Sequence, residues 1–226
     1  SATHTVIVPA IATCVKALPV LMADASIANL EIQSGAKLAL NGFDLTLMGA
    51  LTGTGTIKGA ITSSLNINSN ASSTLYFDQS DPGYSNALQN LSLSGTGTIS
   101  LATLLNMCAG STAGTVQLSS NKTLQTGGYL RLQSDANGTA RIAESGGTIS
   151  GAITQERYVP GKWSRRWSFL ASPVTQSLAA AWQQQIHITG PGTGGSMCTN
   201  YTNAGSMVTH SNGFDVTQTQ NPSFYT

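Results

Sequence analysis

The chain has 226 residues, a net charge of +1 and only 8% charged residues. Such a balance supplies no field to draw nucleic acid or an anionic membrane, and no run of 18 apolar residues offers a bilayer span. Ser, Thr, Asn and Gly account for 93 residues, yet 40% of the chain is hydrophobic, which sets it apart from a disordered polar tract. The length suffices for one large or two small domains with proper cores.

The N-terminal stretch "VIVPAIATCVKALPVLMA" is apolar but broken by Pro9, Lys16 and Pro19, with no basic segment before it. It does not read as a signal peptide, and the expectation is a mature or trimmed extracellular chain. From there to about residue 155, short alternating runs follow one another: "LEI", "KLAL", "LTL", "LNI", "TLYF", "LSL", "TVQL" and "YLRL". Gly, Asn or Ser turns separate them at about eight to twelve residues, the strand rhythm. Two architectures fit, a parallel β-solenoid and an antiparallel sandwich or barrel. The solenoid is the expected fold for residues 1–155. Leu38, Leu40, Leu45 and Leu47 would point inward, with Asn41-Gly42 and Gly49 at corners. Asn41-Gly42 is also a good hairpin turn, which keeps the sandwich as the alternative. Internal echoes are present but not periodic. "LTGTGTI" (51–57) returns at 93–99, "TIKGAIT" (56–62) at 148–154, and "NLEIQSG" (29–35) at 90–95, at separations of 42, 92 and 61 residues.

The character changes near Glu156. In "ERYVPGKWSRRWSF", four of the ten basic residues gather around Trp163 and Trp167. In an extended strand Trp163, Arg165 and Trp167 share one face, with an arginine between two indoles. That face can hold a sugar ring, or it can clamp a second domain onto the last rung; the clamp is the expected role. "SPVTQSLAAAWQQQIHITG" supplies one short helix, capped by Thr175, with Leu178, Trp182 and Ile186 on one side and Gly190 at its end. Residues 156–226 therefore read as the start of a β-rich, sandwich-like domain, incomplete within this chain.

The segment "GTISGAITQERYVPGKWSRRWSFLASPV", with "AAWQQ", "HITGPG" and "NGFDVTQTQNPSFYT" after it, resembles large secreted surface proteins of Bacteroidota. The likeness is specific over about residues 146–226. It implies export by the type IX system and an adhesive or structural role at the cell surface. It carries over no catalytic residue, and Gln184 stands where the family often has an acidic residue or glycine.

Candidate chemistry is sparse. Carbohydrate-cleaving solenoids need two or three converging carboxylates, whereas the nine acids here are scattered. Asp78 and Asp81 in "FDQSDPGY" form the nearest pair, which reads as turn chemistry before it reads as a calcium turn. His4, His187 and His210 match no zinc spacing, and "GPGTGG" lacks the Lys-Ser/Thr of a phosphate loop. The "TGTGTI" runs lie too far apart for an outward threonine array on every rung. Cys14, Cys108 and Cys198 leave the pairing open: one disulfide with one spare thiol, or three small buried hydrophobes. The expectation is a non-enzymatic, cofactor-free extracellular structural or adhesive module. Its partners would be copies of itself, other surface proteins or glycans, with no nucleic acid and no membrane insertion. A glycan-binding or glycan-cleaving module is the alternative.

Overall fold

A computed structural model describes residues 4–10, 18–144 and 146–159. The chain divides into two units, Ser1–Lys162 and Trp163–Thr226, and the described residues all lie in the first. They form an all-β parallel solenoid without a helix. Trp163, Arg165, Trp167, the segment after Thr175, Cys14 and Cys198 lie outside the described residues.

Each turn lays down three short strands on three faces. The first face is one continuous sheet of six strands, one per turn: Ala25–Ile27, Leu45–Leu47, Ser64–Asn68, Asn90–Ser94, Thr115–Leu118 and Arg141–Ile142. The second face holds Thr5–Val8, Asn29–Ile32 and Leu51–Thr52 as one sheet, and Ser73–Leu75, Gly97–Leu101, Lys122–Gln125 and Thr148–Ser150 as another. The third face pairs Lys37–Ala39 with Thr56–Lys58, and separately stacks Ala87–Leu88, Leu105–Met107, Leu130–Leu132 and Ile153–Gln155. Every strand ladder is parallel; the one antiparallel pairing among the described residues is the isolated bridge Ser134–Thr139. The antiparallel sandwich is thereby excluded for this region.

Alternation decides what faces the core. Side chains in a strand point to opposite sides, and a parallel register keeps each column aligned from rung to rung. The first face stacks Leu45 between Ala25 and Leu65, and Leu47 between Ile27 and Ile67. Leu91 and Val116 continue the column. Leu30, Ile32, Leu40, Leu75, Phe77, Ile99, Leu105, Met107, Leu124 and Leu130 fill the same interior from the other faces, and all are essentially inaccessible to water. Each such burial is worth roughly 1.5–3 kcal/mol relative to exposure.

Corners explain the small polar residues. Asp24 Oδ1 accepts the Asp44 N–H at 2.9 Å, and Asp44 Oδ1 accepts the Ser64 N–H at 2.8 Å. Asn29 Oδ1 takes the Ala50 N–H and Asn70 Oδ1 the Thr96 N–H, both at 2.9 Å. Side chains of one turn thus satisfy corner amides of the next, which no strand ladder reaches. Asn41 and Gly42 both have positive φ, 54° and 90°. They turn the chain from the third face to the first of the next rung, where a hairpin would have returned it antiparallel. Gly53 shows the second demand on a corner. Its φ is +87°, and a Cβ there would lie 2.0 Å from the Ile32 carbonyl oxygen.

Paired residues on successive rungs lie 20 apart in the early turns (Ala25–Leu45, Leu45–Leu65) and 25 or 26 apart later (Ser64–Asn90, Asn90–Thr115, Thr115–Arg141). The echoes fall on different corners. Leu51-Thr52 lies on the second face and leads through Gly53 and Gly55 to the third; Leu93-Ser94 lies on the first and leads through Gly95 and Gly97 to the second. One corner unit, strand–Gly–Thr–Gly–strand, is used at two places in the rung, so its separation is no multiple of the rung length.

Candidate functional site

Two polar constructions stand out, and a third is buried. The first is the excursion of residues 78–86. Phe77 bridges Ile57 on the third face, and the chain then leaves the rung and rejoins it at Ala87–Leu88. Asp78, itself buried, accepts hydrogen bonds from Lys37 Nζ at 2.9 Å, Ser80 N at 3.2 Å and Ser80 Oγ at 2.6 Å. Burial pushes its carboxyl upward, but the bonds from Lys37 and Ser80 outweigh that and hold it below the usual aspartate value. Lys37 sits two turns away, so this ion pair crosses an intervening rung. Asp81 serves the loop through its backbone: its carbonyl accepts the Tyr84 and Ser85 amides, and its own N–H donates to Ser85 Oγ at 3.0 Å. Asn86 Oδ1 accepts from Gly83 N and Asn106 Nδ2, tying the loop to the next rung. Among the described residues, no three His, Cys, Asp or Glu side chains gather as a metal site.

The buried construction is Lys122. It occupies an inward position two residues before Leu124, is fully buried, and donates through Nζ to the carbonyls of Ser69 and Thr96, each at 2.7 Å. These carbonyls belong to corners of two preceding turns, so the side chain runs down the corner and binds three rungs together. Burial pulls its amine below the ordinary lysine value. Cys108 has a free, buried thiol, pushed up by burial to about 11.

The second surface construction is a groove of about 580 Å³ on the second face. Its cause is a break in the sheet: no ladder joins Leu51–Thr52 to Ser73–Leu75. In place of a backbone bond, the Leu51 N–H donates to Ser73 Oγ at 3.3 Å. Thr52 lies on one side of the break, with Thr74, Tyr76, Thr98, Ser100 and Gln125 on the other. Register aligns Thr74, Ser100, Gln125 and Ser150 in one outward column, and Thr98, Thr123 and Thr148 in another. Thr98 is thus in register with Thr123 and Thr148 on three successive rungs, which falls short of an array on every rung. The sequence reading missed Lys122 and this groove. Lys122 was signalled by alternation, since an inward Leu124 requires an inward residue 122.

No family model, curated protein or solved structure matches this chain.

Proposed function

We propose that the chain is a non-enzymatic extracellular module of a large bacterial surface protein, with a structural or adhesive role. The observation that carries this reading is the use made of five of the nine acidic side chains. Asp24 and Asp44 hold corner amides, Asp78 pairs with Lys37, Asp135 Oδ1 holds the Asn137 and Gly138 amides of its own turn, and Glu156 pairs with Arg131. Carboxylates that hydrolyse or eliminate must converge on one bond with room for water or a leaving group; these are distributed along the stack and engaged with it. A solenoid grows by adding rungs that touch only their neighbours, which suits extension and display. The resemblance of residues 146–226 to Bacteroidota surface proteins supports the same setting, with type IX export and self-association as further parts of the proposal.

The test has two arms. Antibody against the chain should label intact cells of the producing bacterium. Incubation of the protein with plant, algal and bacterial polysaccharides should release no new reducing ends and no unsaturated products. Turnover abolished by one acidic substitution would refute the non-enzymatic part, and labelling only after lysis would refute the surface setting.

A further inference from the structure

The groove at the sheet break is the surface feature with the most definite shape and chemistry. It carries no carboxylate, ammonium or guanidinium: its polar side chains are hydroxyls, among them those of Thr52, Thr74, Thr98 and Ser100, with the Tyr76 phenol and the Gln125 amide. A site without formal charge selects neither phosphate nor a charged peptide, and it offers hydroxyl and amide partners in both donor and acceptor sense. Those partners recur along the solenoid axis at the rung rise of about 4.8 Å. Ser100 Oγ donates to Gln125 Oε1 at 3.2 Å, which orients that amide and leaves its NH₂ to donate outward. The groove wall also holds a single aromatic, half-buried Tyr76. An aromatic face against an apolar ring face, with hydroxyls and amides around it, is the pairing a pyranose presents to a protein. The volume lies within the range of small-ligand sites.

We propose that this groove binds a neutral oligosaccharide, lying along the solenoid axis with one sugar ring against Tyr76 and its hydroxyls on Thr74, Ser100 and Gln125. The proposal rests on the adhesive reading above and names the partner class that reading leaves open. It also puts the glycan site on the second face of the solenoid, on residues other than Trp163, Arg165 and Trp167.

The experiment is isothermal titration with cellohexaose, mannohexaose, xylohexaose and chitohexaose, on the full chain and four variants. Ser100→Trp fills the groove from an outward position, and Gln125→Ala removes an exposed amide, so at least one of them retains the native melting curve. At least one hexasaccharide is expected to bind, with Ser100→Trp weakening it tenfold or more and Gln125→Ala about threefold to tenfold. Asn66→Ala, on the first face, should change nothing. The proposal is overturned if none of the four sugars binds. It is equally overturned if Trp167→Ala abolishes binding while Ser100→Trp and Gln125→Ala do not, or if Asn66→Ala acts as strongly as they do. Failure here leaves the surface labelling and polysaccharide assays untouched, and failure of those assays leaves a measured sugar affinity standing.

Discussion

Replacing Lys122 by methionine separates the two opposed effects of a buried cation. The wild-type side chain gives two hydrogen bonds of 2.7 Å, to Ser69 and Thr96 carbonyls. Bonds from a charged donor contribute about 1.5–3 kcal/mol each, while withdrawing the ammonium from water costs several kcal/mol. Methionine recovers the desolvation cost and keeps most of the buried volume, but it orphans two acceptors. Ser69 is buried and Thr96 is exposed, so one carbonyl can find water and the other cannot. The balance predicts a loss of about 1–3 kcal/mol at pH 7, read by urea unfolding, for which one unsatisfied buried group and the surplus of the second bond suffice. The pH dependence supplies an independent check. Because the folded amine titrates below the unfolded value of about 10.4, the unfolded chain holds more protons between the two values, and stability rises with pH across that window. Below the folded value the burial penalty is fully present. The advantage of wild type over Lys122→Met should therefore widen as pH climbs toward 10.4. Cys108 acts in the opposite direction, but it is common to both proteins and cancels in the difference. A methionine variant as stable as wild type, or an advantage that shrinks with rising pH, would refute the staple.

Leu47→Ala should cost about 2–5 kcal/mol in chemical denaturation, since Leu47 is fully buried between Ile27 and Ile67 and the ladders on both sides prevent collapse of the cavity. For Asp78 the folded carboxyl is held below its unfolded value, so its contribution is present above about pH 4 and lost as pH falls through the folded value; Asp78→Asn should be less stable at pH 7, with a gap to wild type that narrows on acidification. A buried thiol with its ionisation pushed to about 11 should react with a thiol-specific reagent at pH 8 only on unfolding, and native-state labelling of Cys108 within minutes would contradict that placement.

Alternation made the rungs legible in the sequence, because period-two burial is a local property: Leu38, Leu40, Leu45 and Leu47 could be assigned inward before any register was known. Asn41-Gly42 was ambiguous for a physical reason. Both a hairpin and a solenoid corner require positive φ at those residues, and only the partner strand distinguishes them. Lys122 was hidden by its type, since lysine is almost never fully buried, although its place in the alternation pointed inward. The groove was illegible from sequence. It arises from a mismatch between rungs on the second face, and a break in pairing is a relation between strands some 20 residues apart that neither strand carries alone.

The staples described above all run along the stack: Asp24 to Asp44, Asp44 to Ser64, Lys37 to Asp78 and Lys122 to Ser69. Their direction matters when the molecule is under tension. Pulled from its two termini, a parallel stack yields one turn at a time, each turn peeling from a neighbour that is still held. Every turn that peels releases 20–26 residues between paired positions, about 7–9 nm of slack at 3.3–3.6 Å per residue. A chain built in this way lengthens in steps and dissipates load at each one, and Lys122 and the Lys37–Asp78 pair, each reaching across three turns, add resistance where they lie.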